Sequence, residues 1–268
     1  MEDADRDRYN FLTPDFAIGS TTGDHSPQDK LINIEMATSK EGFPSITVVP
    51  DTFDEPYGKS KRLDKSGHSK PVHLPLHPTT VQREGTLLAL LDLDLSKETA
   101  ESVATNVILP AEADEIRFAS ERAMLKAGLD REAGPGAVTG IREGTAGIAI
   151  RVFTSGVRLK AEAAGLQYHA ARLAIYHGER SKHARVGILI LAERCADESA
   201  FAALLKRAAA VKVSDESDGH MWRVAAGTLA AVRDLDHRKP LARSVNGKAF
   251  ATAALEVNGT AVTIRWLM

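Results

Sequence analysis

Apolar and polar residues alternate along most of this chain, in short runs broken by glycine-bearing turns, and the pattern is densest between positions 142 and 266. Successive side chains of an extended chain point to opposite faces, so a period of two predicts strands with one face in a core. Positions 147–153 and 186–191 are two such runs. Positions 255–266 predict a hairpin, with Asn258 and Gly259 at the tip where a tight turn needs left-handed backbone.

The same reading places strands at 15–20, 31–36, 45–50, 72–77 and 81–94, the last divided by a turn at Arg83-Glu84-Gly85-Thr86. Further strands are expected at 103–109, 115–119, 138–143, 145–153, 166–176, 184–191, 220–226, 227–234, 249–257 and 261–267. One segment departs from the pattern. Positions 199–210 are rich in alanine and leucine and lack β-branched residues. Asp197, Glu198 and Ser199 precede them, and Lys206 and Arg207 lie toward their end. Acid before and base after suits the helix dipole, so one short helix is expected there.

Strands at hairpin spacing with a single helix predict an all-β fold, a large antiparallel β-sandwich of two stacked sheets. A parallel β-helix would show a regular short repeat, and none is seen. Residues 1–8 are expected to be a disordered leader and residues 9–268 a single sandwich domain. Positions 51–71 hold Pro56, Gly58, Gly67 and many charges without hydrophobic period, so they are expected to be a long loop, of the kind that is usually functional.

Composition narrows the function. Of 268 residues 43% are hydrophobic, enough for a core, and the net charge is −2. So small a charge excess argues against a nucleic-acid partner. Aromatics are 5%, fewer than a sugar groove floored by flat rings would use. No apolar run reaches the roughly 20 residues of a membrane helix, so no membrane partner is expected. The charged start, from Met1 to Arg8, has no apolar signal region; the chain as given reads as cytoplasmic, or as part of an exported protein whose signal lies upstream. Cys195 is the single cysteine, which excludes an internal disulfide and a thiolate cluster. It follows an apolar run and reads as a small buried hydrophobe.

Candidate chemistry concentrates in one place. The long loop carries Asp51, Asp54, Tyr57 and Lys59 and leads into His68, His73 and His77. A Tyr and His pair suits proton abstraction beside a sugar carboxylate, one group taking the proton while another donates to the leaving oxygen. Tyr57, His73 and His77 are therefore the catalytic candidates, and Asp51, Asp54, Lys59 and His68 the substrate-binding ones. No metal site is assigned. His73 and His77, four apart on a straight strand, are ~13 Å from each other and cannot close on one ion. No cofactor is expected, because no phosphate loop, nucleophile elbow, zinc-protease helix or dinucleotide fingerprint occurs.

The segment from Tyr9 through Phe11, Pro14, Phe16 and Gly19 to Ser20, with Gln28 and Asp29 behind it, resembles the start of the β-sandwich half of heparinase II/III-like bacterial polysaccharide lyases. The closing hairpins at Asn246-Gly247 and Asn258-Gly259 are similar in style. In that family an α/α toroid precedes a stack of antiparallel sheets and supplies most catalytic residues. The resemblance implies a polysaccharide-processing, lyase-like protein that acts on or binds acidic glycans. It also implies an upstream helical toroid as partner, with His73 or His77 in the role of a histidine contributed by the sandwich. The alternative is a non-catalytic β-sandwich that binds a glycan or a protein.

Overall fold

The computed structural model describes residues 7–22, 32–37, 45–51, 61–63, 69–71, 78–94, 103–110, 113–125, 128–161, 171–177, 183–236, 239–257 and 260–267. Its strands form three antiparallel sheets and a small ribbon. The first sheet has eight strands. In spatial order they are β1 (Asp7–Leu12), β2 (Phe16–Thr22), β3 (Ile32–Met36), β4 (Ser45–Asp51), β9 (Val103–Leu109), β16 (Ala171–His177), β15 (Val157–Ala161) and β12 (Asp130–Ala133). The second has seven: β11 (Glu121–Ala123), β10 (Glu115–Phe118), β13 (Val138–Glu143), β14 (Ala146–Val152), β17 (His183–Arg194), β8 (Thr86–Asp94) and β7 (Thr79–Arg83). The third has six in simple meander: β18 (Val213–Ser217), β19 (Met221–Ala226), β20 (Leu229–Asp234), β21 (Lys239–Val245), β22 (Lys248–Val257) and β23 (Thr260–Leu267). β5 (Lys61–Leu63) and β6 (Ser69–Pro71) pair with each other.

The seven-stranded sheet is the middle layer. Ala89, Leu91, Ile148, Ile150, Val186 and Ile188 point from it into one aliphatic core shared with Ile18, Ile34, Val107, Leu159 and Leu173 of the eight-stranded sheet. The alternate residues Leu88, Leu90, Ala149, Leu189 and Leu191 point the other way, into a second core. β8 and β17 are thus apolar on both faces along their middles, and their sequences run apolar without a break over 87–91 and 186–192.

Two elements cover the second face. Helix α1 (Glu198–Ala210) lies over β13, β14 and β17, and the third sheet lies over β7 and β8. Asp197 caps the helix, its carboxylate accepting from the Ala200 N–H at 2.8 Å. Arg151 Nη1 donates to the carbonyls of Ala208, Ala209 and Val211, which satisfies the other end. Phe201, Leu204 and Ala208 are the buried stripe. The helix can sit this close because Gly140 and Gly147 carry no side chain. A methyl group on Gly140 would collide with Phe201 and Leu205, and one on Gly147 with Cys195 Sγ.

The third sheet is held by Trp222, Val224, Ala231 and Val245 and by a buried polar contact. Arg233 is 0% exposed; its Nη1 donates to Thr79 Oγ1 at 3.1 Å, and its Nη2 lies 3.9 Å from Asp92 Oδ2.

The expected sandwich is present, but with a third layer on a middle sheet rather than two sheets alone. The helix begins at Glu198, one residue before the expected start. Asp7 and Arg8, expected in the leader, pair with Thr22 and Thr21 as the start of β1. The excursion between β4 and β7 holds the β5–β6 ribbon and is not wholly irregular. The short strands β11, β12, β15, β18 and β21, rich in charge, were not expected from periodicity. They form because each has a neighbour that supplies its hydrogen bonds, which no local pattern records.

Candidate functional site

The face of the eight-stranded sheet that points away from the first core is polar. Alternation puts Ile46 and Val48 of β4, Val107 and Leu109 of β9, and Leu173 and Ile175 of β16 into the core. Thr47, Asn106 and Arg172 therefore point to the outer side. Register aligns Asn33, Thr47, Ile108, Arg172, Lys160 and Asp130 in one row across six strands. A second row holds Asn106, Ala174, Arg158 and Glu132. At ~4.8 Å between strands the first row is about 24 Å long.

The middle of this face is shielded from solvent. Asn106 is 0%, Arg172 3% and Thr47 8% exposed. Ile108 and Ala174 are buried too, although they belong to neither hydrophobic core. Toward β15 and β12 the face opens: the side chains of Arg158 and Asp130 are 43% and 39% exposed and form an ion pair at 3.1 Å. The row thus passes from an exposed, charged margin to an enclosed polar centre. Arg172 Nη1 donates to Asn106 Oδ1 at 3.1 Å. Thr47 Oγ1 donates to Asn33 Oδ1 at 3.2 Å, and Asn33 Nδ2 to Glu35 Oε1 at 2.8 Å. Threonine hydroxyl, asparagine amides and cations are groups that bind hydroxyl-rich anions.

Two other polar clusters are explained by the fold. Glu115 on β10 accepts from Arg117 Nε at 2.7 Å and pairs with Arg142 at 3.3 Å; Arg117 Nη2 also reaches Glu198 Oε1 at 2.7 Å and stacks over Phe201. This ties the start of α1 to the middle sheet. Burial alone would raise the Glu115 carboxyl, but Arg117 and then Arg142 outweigh it and hold it below its usual range. At the exposed turns of the third sheet, Arg223 and the amides of Met221 and His220 hold the Asp218 carboxyl far below its usual range. His220 Nδ1 lies 2.9 Å from Asp236 Oδ2, and that contact raises the imidazole above its ordinary value. Cys195 is buried as expected, its thiol pushed up by burial and then by the charge of Glu193, which makes it a poor nucleophile.

Of the residues singled out from sequence, Asp51 is the last residue of β4, opposite Ala104. Tyr57, His73 and His77, the catalytic candidates, and Asp54, Lys59 and His68, the binding ones, lie outside the described residues. The excursion that carries them leaves from β4, the strand of Thr47, and ends at β7 in the middle sheet. Asn106, Arg172 and Thr47 were not picked out from sequence. The available signal was a polar side chain set among apolar neighbours: Asn106 before Val107-Ile108-Leu109, and Arg172 between Ala171 and Leu173. Among the described residues no three His, Cys, Asp or Glu side chains are placed to hold a metal ion. No described helix is long and apolar enough to cross a membrane.

These features define a layered all-β protein with a polar, partly enclosed sheet face. No family model matches the chain, and no curated protein does.

Proposed function

We propose that this chain is the β-sandwich part of a lyase-like protein that acts on or binds acidic polysaccharide, with an α-helical toroid as its catalytic partner. The observation that carries the reading is the cross-strand polar row, in which Arg172 and Lys160 stand side by side in register before the row ends on Asp130. The open margin of the row, at β15 and β12, suits contact with a polymer, and the cations Lys160 and Arg158 there suit its negative charge. The described groups of the row hold an anion but do not by themselves move a proton. Proton transfer falls to the excursion residues Tyr57, His73 and His77 or to the toroid. This division also gives weight to a second reading, a β-sandwich that binds acidic glycan without turning it over.

The test is electrophoresis of the full chain through gels containing a polyuronate or a neutral polysaccharide. Retardation by the polyuronate alone, weakened by salt, is the expected outcome. Equal mobility in both gels overturns the reading. Following the absorbance of unsaturated sugar ends, with and without a helical partner domain, then separates turnover from binding.

A further inference from the structure

Beyond Val245 the third sheet runs on into a ribbon whose apolar side is turned away from the protein's own core. Val245 is buried in the second core and pairs with Lys248, so the even-numbered positions of β22 lie on the core side. After Phe250 and Leu267 at the base, that side of the β22–β23 ribbon holds Thr252 opposite Arg265 and Glu256 opposite Ala261. The outer side holds Ala251 opposite Trp266, Ala253 opposite Ile264 and Leu255 opposite Val262. The apolar face has therefore changed sides at the turn between β21 and β22. Among the described elements β21 alone pairs with the ribbon, and only through Ser244 with Ala249 and Val245 with Lys248. A two-stranded ribbon is marginal by itself and needs a third strand or a packed face.

We infer that the cover is the same ribbon of a second copy of this chain, packed face to face about a two-fold axis. The outer face carries no charged position, so it does not repel its twin. Its sizes are also self-complementary. From base to tip β22 runs small to large, Ala251 and Ala253 and then Leu255 and Val257. Over the same length β23 runs large to small, Trp266 and Ile264 and then Val262 and Thr260. A two-fold axis lying across the strands at the pair Ala254–Thr263 sets the base of each copy over the tip of the other. Position 253 then meets 255 of the second copy, 251 meets 257, 264 meets 262 and 266 meets 260. Each meeting sets a larger residue against a smaller one, which lets two faces interdigitate. On the same side of the third sheet, Ala225, Ala230, Ser244 and Ala249 form one row of small residues, a flat floor for the end of the second ribbon. Eight residue pairs make a face about 27 Å long, small for a permanent interface, so the pairing should depend on concentration. It is independent of the acidic-glycan reading.

The experiment is sedimentation of the full chain over a range of concentrations, with urea titration of each variant. Wild type should pass from monomer to dimer as concentration rises. Ile264→Lys puts a charge on the outer face and should weaken dimerisation by about tenfold or more. The urea midpoint of the monomer should hold, because the ribbon joins the body through two residue pairs. Ala253→Leu sets leucine against leucine and should also weaken the dimer. Adding Leu255→Ala exchanges the two sizes across the axis and should restore it. A chain that stays monomeric overturns the inference, and a lowered urea midpoint for monomeric Ile264→Lys would show that a segment of the same chain covers the face instead. A dimer indifferent to Ile264→Lys overturns it as well. A dimer lost in Ala253→Leu and not regained in the double variant overturns the two-fold pairing.

Discussion

The pair β14–β17 and the pair β9–β16 are each buried on both faces, and their second faces are opposites. In the middle sheet, β14 and β17 bury Ile148, Ile150 and Ile188 on one side and Gly147, Ala149, Leu189 and Leu191 on the other. In the eight-stranded sheet, β9 and β16 bury Val107 and Leu173 on one side and Asn106, Ile108, Arg172 and Ala174 on the other. The first arrangement is a packing solution, dry and filled by a helix. The second places an amide and a guanidinium where hydrocarbon would be cheaper, because a buried polar group is costly unless its hydrogen bonds are made.

A charge placed on each second face should give the largest contrast. Ala149→Asp puts a carboxylate into the apolar layer beneath α1. Burial of that charge should cost several kcal/mol and lower the urea midpoint strongly. Asn106→Asp, next to Arg172, should keep its urea midpoint near wild type. Equal loss in the two variants would erase the distinction between the faces.

The third sheet offers the next test, since its buried polar contact has its partner present. Asp92→Ala leaves Arg233 charged with less compensation in a site without solvent, and should destabilise by about 3–5 kcal/mol. Replacing both, Asp92→Leu with Arg233→Met, should recover much of that loss. A double variant as weak as the single one would mean that this pair does more than satisfy itself.

Losing the helix cap is a smaller perturbation on the dry face. Asp197→Ala should cost about 1 kcal/mol, read as a lower thermal midpoint. The pH response should be modest and also confined to that side. Because Arg117 and Arg142 depress the Glu115 carboxyl, its contribution is complete above the usual glutamate range and is lost as pH falls through the lowered value. Stability should fall on acidification, and Glu115→Gln should flatten that part of the profile. The smallest effect is at His220. Its raised value means that its contribution is present at acid pH and fades as pH rises through that value. Asp236→Asn should move the His220 NMR titration toward lower pH with little change in global stability.

The residues of the second layer show how far local pattern can be read. Leu87 to Leu91 and Val186 to Leu191 are apolar without alternation, which marks strands covered on both sides. Read only as strands, they suggested two sheets; their lack of a polar face was the sign of a third layer. Asn106 and Arg172 show the opposite case. Each is a polar residue beside apolar ones in its strand, and nothing in sequence says that two residues 66 positions apart will meet.

By itself, then, the chain's alternation determined an antiparallel all-β architecture, its main hairpins and its one helix, because side-chain period and turn chemistry act over a few residues. Tertiary structure decided the order of strands in each sheet, the stacking of three layers, and the meeting of Arg172 with Asn106 on a shielded face. Those outcomes depend on register between distant strands, and a shift of one residue would turn every polar group of that face into the core.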